Sequence, residues 1–176
     1  NYRAFSSLGG ILLAMGDEER AEAALQRSLT LKPDPTTYSN LATLHFGQQR
    51  YREATEAFEQ ALALNDTDHR IWGNLGDSLR HTQDASDKDI ADAYEMAIAL
   101  ARRDLSNDPQ DTENHAYLAF YLAVVEEKSE SQNEIALVRD TKTNNVIAIR
   151  LCIRAYEIMG RRDKALEMLR VYLNSG

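Results

Sequence analysis

One spacing of apolar residues recurs along the first half of the chain. Residues 5–12, 38–45 and 72–79 each read as an aromatic residue, a leucine, a small residue and then a larger side chain. Apolar residues three and four positions apart share one face of a helix. The pattern therefore predicts an amphipathic helix at each of these three segments.

A second apolar pattern follows each of these segments. Residues 21–28, 54–61 and, after a small insertion, 90–97 again place apolar or small residues three and four positions apart. Each unit is thus predicted to be two helices joined by a short turn. Gly16 and Asp17 supply that turn in the first unit, with Asp17 as the cap of the second helix, and Gly160 marks a matching turn near the end of the chain. Extended along the chain, the pattern predicts about ten helices in five pairs and no sheet.

Small residues recur at the middle of the first helix of a unit, at Gly9, Ala42 and Gly76. A small side chain there lets the two helices of a pair cross closely. Because one pair cannot hide its own apolar face, we expect the pairs to stack into a continuous core.

These positions resemble the tetratricopeptide repeat family, whose pattern is tryptophan, leucine-glycine and tyrosine, followed by alanine, phenylalanine and proline. Residues 72–77, Trp-Gly-Asn-Leu-Gly-Asp, match it best, and the resemblance covers residues 2–101 and 147–173. In the last stretch Ile153 replaces the small residue. The other family positions there are filled by Cys152, Tyr156, Gly160, Ala165 and Leu169.

The resemblance implies an all-α fold, a right-handed superhelical stack of antiparallel helix pairs, formed by residues 1–176 as a single domain. The repeats are expected at approximately 2–35, 36–69, 70–108, 110–145 and 147–175.

Residues 110–145 match the repeat least well. A first helix is predicted around residues 118–122, capped by Asp111 or Thr112, and a second around Ile135 and Val138. Between them, residues 126–131 are predicted to form a polar turn longer than the family norm. We interpret this region as a degenerate fourth repeat.

The helix that contains Ala97 has no proline directly after it. It is predicted to continue through residues 100–105, since Pro109 comes late. This extension resembles the tetratricopeptide tails of bacterial regulators that carry kinase, cyclase or winged-helix domains. The resemblance implies a signalling or regulatory parent protein, of which this chain, beginning at Asn1 without a methionine, would be a fragment.

The charge balance narrows the class of partner. The 176 residues carry a formal net charge of -8, which disfavours binding to nucleic acid phosphates or to an anionic membrane surface. No apolar run approaches the roughly 18 residues that span a bilayer. No internal disulfide can form, since Cys152 is the only cysteine. The cellular location stays open: cytoplasmic is favoured, or periplasmic if the parent is anchored in a membrane.

Residues that could carry chemistry are few. The four histidines have no partner at metal-ligand spacing, and Cys152 occupies a core position of the fifth repeat. His45 stands where the family has a core tyrosine. We therefore expect no metal, no cofactor and no enzymatic activity in this chain.

The first helices of a tetratricopeptide stack line its concave surface, and this resemblance implies a peptide-binding groove. Equivalent asparagines on successive repeats would hold a ligand backbone, because an amide both donates and accepts hydrogen bonds. Arginines would favour a ligand with acidic groups, and two aromatic residues would supply an apolar anchor. The predicted groove residues are Asn40, Asn74, Arg70, Asp77, Arg80, Tyr117, Phe120, Arg150 and Arg154.

Other interpretations of these residues remain open. The groove positions are equally compatible with ordinary solvated polar side chains. The stack is alternatively a self-association module, or the accessory C-terminal region of an enzyme such as a kinase or cyclase. In the last helix, Leu166, Leu169 and Leu173 are predicted to pack on their own partner helix. Met168 and Val171 would then form a second apolar strip. We expect a further segment of the parent protein or a second molecule to cover it, the latter as a homodimer through that helix.

Overall fold

The computed structural model describes residues 1–173. Across these residues it has ten α-helices and no β-strand, which confirms the predicted all-α fold. In chain order the helices are α1 (Tyr2–Ala14), α2 (Glu18–Leu31), α3 (Pro35–Gly47), α4 (Tyr51–Leu64), α5 (His69–His81), α6 (Asp87–Asn107), α7 (Thr112–Val124), α8 (Lys128–Asp140), α9 (Val146–Ile158) and α10 (Arg162–Leu173).

Four helix pairs share the same three-residue turn. Its second residue is left-handed, with φ of 77° at Gly16, 61° at Gln49, 65° at Glu126 and 73° at Gly160. The next backbone N–H then donates to a carbonyl five residues back, as from Asp17 to the Leu12 oxygen at 2.9 Å. Glycine adopts this conformation freely, whereas Gln49 and Glu126 adopt it against the strain on their Cβ atoms.

The first helices of the pairs share a start signal. A side-chain oxygen of the residue before each helix accepts a backbone N–H of its first turn. Asp17 caps α2 in the same way, as predicted, and Asp111 rather than Thr112 caps α7. The capping residues of these first helices are Asn1, Asp34, Asp68, Asp111 and Asn145.

The helix boundaries of the third pair were predicted more accurately than those of the fourth. The predicted long helix after Ala97 is present, because α6 continues to Asn107. The predicted long polar turn at residues 126–131 is wrong: α8 already begins at Lys128, since Glu126 makes the same tight turn as its equivalents. The predicted insertion is the five-residue segment 82–86, where the Ser86 hydroxyl accepts the Asp89 N–H at 3.1 Å.

The close crossing of α1 and α2 depends on Gly9. A Cβ atom on Gly9 would lie 2.5 Å from Cγ of Leu25 and 3.4 Å from the Ala21 oxygen. Leu25 is itself fully buried and cannot move aside. The small residue expected at this position is therefore required by the packing.

The described helices fall into two compact units, whose boundary lies within α6. In the first, residues 1–93, α2 packs on α3 and α4 packs on α5, so each second helix covers the following first helix. Phe58 is the large buried ring of this core. Trp72 packs against the same cluster and donates its indole N–H to the Asp66 oxygen at 2.8 Å.

The second unit, residues 94–176, is packed differently. Here α9 packs chiefly against α7 and has little contact with α8. The buried side chains include Tyr121, Ile135, Val138 and Cys152. The packing of one helix pair on the next is therefore not the same in the two units.

The last helix exposes side chains that were predicted to be packed. Ala165 is buried, whereas Leu166, Leu169 and Leu173 are 46%, 38% and 67% exposed, so α9 covers them at most in part. Met168 and Val171, predicted as a second apolar strip, line a cavity together with residues of α8 and α9. The homodimer through this helix stays a prediction.

Candidate functional site

In the first unit, the predicted groove residues lie on two neighbouring first helices. Asn40 is on α3, while Arg70, Asn74, Asp77 and Arg80 are on α5. A small cavity of about 60 Å³ opens where these helices approach each other. Its polar lining consists of Thr43, Asn74 and Asp77, and its apolar lining is Phe46 and Phe58.

The two asparagines have matching neighbours. The Nδ2 atom of Asn40 lies 3.3 Å from the point where Gly10 would carry a Cβ atom. Asn74 shares its cavity with Thr43, which is the equivalent of Gly10 one repeat later. Each asparagine thus lies beside the same position of the preceding first helix.

The arginines of the first unit have carboxylates beside them. Arg70 pairs with Asp68 at 2.7 Å, and Arg80 lies 3.8 Å from Asp77. Burial raises the pKa of Asp68, but hydrogen bonds from Arg70 and its charge outweigh burial and leave that pKa below its ordinary value. The positive charge expected for this surface is therefore largely balanced locally.

An aromatic cluster borders this cavity and was not predicted as a unit. Phe46 lies edge-on to Tyr51, with ring centroids 5.4 Å apart, and edge-on to His81 at 5.8 Å. Tyr51 and His81 stack at 4.7 Å. Phe46 follows the core residue His45 by one position, off the repeating apolar pattern, which is the signal that could have marked it.

In the second unit, the predicted residues lie on α7 and α9. Tyr117 is half-buried on α7, and Arg150 is exposed on α9. Phe120, predicted as an exposed apolar anchor, is only 2% exposed, so that prediction is wrong. The packing of α9 on α7 buries its ring and places the Arg154 guanidinium 4.2 Å from the ring centroid, a cation–π contact.

A larger cavity in the second unit contains none of the predicted groove residues, but Met168 and Val171 of the predicted apolar strip line it. It measures about 410 Å³ and is bordered by α8, the segment after it, α9 and α10. Val138, Ile149 and Met168 are among its apolar lining residues. Glu167 at its rim pairs with Lys164 at 2.8 Å and lies 3.7 Å from Arg139.

The groups capable of chemistry are mostly in the core. Burial raises the pKa of the Cys152 thiol to about 12, so it is protonated at neutral pH. Burial, and then the nearby charge of Arg50, lower the pKa of His45. Across residues 1–173, no three side chains of His, Cys, Asp or Glu are grouped as a metal ion would need. None of the described helices has the length and apolar character to cross a membrane.

Comparison with known proteins identifies the repeat. Two family models, each of the tetratricopeptide repeat, match residues 2–35 and residues 39–112, and together they cover more than half of the chain. The chain belongs to the tetratricopeptide repeat family. Members of this family are typically non-catalytic modules for protein–protein interaction.

Solved structures show the same fold. The thermophilic protein TTC0263 of Thermus thermophilus is similar with a TM-score of 0.70 and 18% identity, covering 99% of this chain and 91% of that chain. YrrB, a tetratricopeptide repeat protein with an unusual peptide-binding site, has a TM-score of 0.56 and 22% identity, covering 99% and 86%. MamA has a TM-score of 0.52 and 18% identity, covering 94% and 92%. The curated proteins contain no match.

Proposed function

We propose that this tetratricopeptide repeat chain binds an extended peptide segment of a partner protein along α3 and α5. The supporting observation is the cavity of about 60 Å³ that Asn74 and Asp77 line above Phe46 and Phe58. A cavity of this size accepts part of one apolar side chain, while the polar groups at its rim hydrogen-bond the peptide backbone. YrrB, which has a similar fold, has a peptide-binding site.

Asn40 and Asn74 hold the peptide backbone in this proposal. Their matching neighbours, Gly10 and Thr43, put the two amides in equivalent surroundings on successive repeats. A bound peptide would then meet one amide per repeat along its length. Because the asparagines are half-buried, their side chains are held in place before the ligand arrives.

The peptide carries acidic groups in this proposal. Arg70 and Arg80 are more than one-third exposed, and a ligand carboxylate would replace or share their contacts with Asp68 and Asp77. In the second unit, Tyr117, Arg150 and Arg154 form a separate candidate surface. The Phe120 ring supports Arg154 there from beneath and does not touch the ligand.

Selection of a binding sequence from a random peptide library tests this function, with calorimetry on the best peptide. Asn40→Ala and Asn74→Ala should each weaken binding by about 1–2 kcal/mol, roughly 5- to 30-fold, because a buried partner group loses its hydrogen bond. Asn133→Ala is the matched control, an exposed asparagine on the second helix α8, and should leave affinity unchanged. Full affinity in the Asn40→Ala/Asn74→Ala double variant would contradict the proposal.

The parent protein is proposed to be a bacterial regulatory or signalling protein. The feature behind this proposal is the long helix α6, which extends 21 residues from Asp87 to Asn107. The complete reading frame from the source genome tests it directly. A parent without a kinase, cyclase or DNA-binding domain would contradict it.

A further inference from the structure

The first helix exposes a strip of large apolar side chains. Leu8, Ile11 and Met15 are 43%, 58% and 74% exposed, respectively. Their spacing of three and four residues puts them on one face of α1. Three such side chains together form an exposed apolar surface, which marks an interaction site more often than single exposed leucines do.

The equivalent strip of the next repeat shows what covers such a surface. Leu41 and Leu44 of α3 correspond to Leu8 and Ile11, yet both are buried. They pack in one cluster with Leu25 of α2, and Leu29 packs against the same cluster. The strip on α1 therefore has the form of a surface that receives a second helix of the α2 type.

The last helix presents the matching surface. Leu169 and Leu173 of α10 correspond to Leu25 and Leu29 of α2. Leu25 is fully buried, but Leu169 is 38% and Leu173 67% exposed. The chain thus carries both halves of a repeat–repeat contact, one on α1 and the other on α10.

We propose that a second copy of this chain covers each strip, with α10 of one copy packing on α1 of the next as α2 packs on α3. Charged residues at the edge of the contact support this pairing. Beside the α2–α3 contact, Glu22 of α2 pairs with Arg50 of the turn between α3 and α4 at 3.1 Å. Near the two exposed strips the charges have opposite signs: Asp17, which also pairs with Arg20 at 3.1 Å, stands at the position of Arg50. Leu166 stands at the position of Glu22, and Arg162 lies one turn before it at the start of α10.

Such a contact joins two different surfaces, so every added copy leaves one strip of each kind exposed. Assembly should therefore grow with protein concentration and should not stop at a dimer. It uses none of the residues proposed to bind peptide, so either property can fail while the other holds.

Two blocked variants of the 176-residue chain test the pairing by sedimentation velocity over a range of concentrations. The head-blocked variant is Leu8→Asp/Ile11→Asp, and the tail-blocked variant is Leu169→Asp/Leu173→Asp. Each alone should sediment as a monomer of 19.9 kDa, whereas the unmodified chain forms larger species as its concentration rises. An equimolar mixture should give a 1:1 dimer and nothing larger, because only one productive pair of strips remains.

The control variant is Leu64→Asp, which changes an equally exposed leucine at the end of α4 and should assemble like the unmodified chain. Circular dichroism checks that each variant keeps its helices, and the single variants Ile11→Asp and Leu173→Asp replace any double variant that does not. A chain that stays monomeric at all concentrations overturns the proposal. So does a head-blocked variant that still dimerises, since that result means α10 pairs with α10.

Discussion

The junction between successive helix pairs is built in two ways in this molecule. In the first unit the second helix α2 packs on α3, and Leu25 joins Leu41 and Leu44 in one cluster. In the second unit α9 packs on α7 and has little contact with α8. A cavity of about 410 Å³ lies beside α8, α9 and α10. Helix pairs of both units share the same left-handed turn, but the pairs stack differently.

Two local differences accompany the altered junction. The connection from α2 to α3 has three residues, 32–34, whereas the one from α8 to α9 has five, 141–145. The small-residue position held by Gly9 in α1 is held by Ile153 in α9. A longer connection gives α9 freedom to settle on α7, and a β-branched side chain opposes a close crossing of α9 with α10. A repeat pattern thus specifies helix pairs more firmly than it specifies how they stack.

The largest expected effect comes from leucines at the same repeat position in the two units. Leu25→Ala should lower the free energy of unfolding by about 2–5 kcal/mol, because a fully buried leucine leaves a cavity in the core. Leu169→Ala should cost only about 1 kcal/mol, because its side chain is already partly exposed. Urea unfolding at low protein concentration measures both. Similar losses in the two variants would mean that the second unit is stacked like the first.

The next effect concerns the close crossing in the first unit. Gly9→Ala should destabilise the chain by about 1–3 kcal/mol, since the added Cβ would lie 2.5 Å from the buried Leu25 side chain. Gly47→Ala is the control: its Cβ meets nothing within 4 Å, and it should stabilise by about 0.4–1 kcal/mol. Thermal unfolding followed by circular dichroism distinguishes the two signs. A neutral Gly9→Ala variant would contradict the crossing geometry.

A smaller effect should be the same in both units, because they share the turn within a helix pair. Gln49→Gly in the first unit and Glu126→Gly in the second should each stabilise by about 0.5–1 kcal/mol, by relieving a left-handed backbone. Gly160→Ala should have the opposite sign. Melting temperatures of the three variants measure this, and a stabilising effect at only one of the two turns would show that the helix pairs differ as well.

The smallest effect is a pH dependence that belongs to the first unit. The pKa of His45 is lowered by burial and then by Arg50, so the folded chain binds a proton here less readily than the unfolded chain. Stability should therefore decrease as the pH falls below the unfolded value of about 6.5, and level off below the folded pKa. The buried Cys152, with a pKa of about 12, stays protonated in this range. Unfolding titrations between about pH 5 and 7 should show a shallower slope for His45→Gln, and an unchanged slope would refute the assignment.

What could be predicted from the sequence was mainly local. The three- and four-residue spacing identifies the helices, and a cap such as Asp17 sits at a fixed place beside its helix. The extension of α6 to Asn107 also follows from local signals, the apolar positions and the late proline.

Packing between helices was predicted less well. Phe120 was predicted as an apolar anchor of the groove because first helices line the concave surface in the family, whereas here α9 packs on α7 and that ring is buried. Met168 and Val171 were predicted as an outer apolar strip, whereas they line a cavity with residues of α8 and α9. The cavity beside Asn74 is lined by residues of three helices, α3, α4 and α5, with Phe58 coming from α4. The spacing of residues along the sequence does not reveal such a combination.

The chain has one tryptophan and one cysteine, and they lie in different units. The Trp72 indole packs against the core of the first unit, so its fluorescence changes when that core unfolds and is exposed to water. The Cys152 thiol is buried in the second unit, so an alkylating reagent reaches it only during an opening event. Tryptophan emission therefore reports unfolding of the first unit, and the alkylation rate of Cys152 reports opening of the second. Run together in one urea series on the unmodified chain, they would reveal whether the two cores melt in a single cooperative step or one after the other.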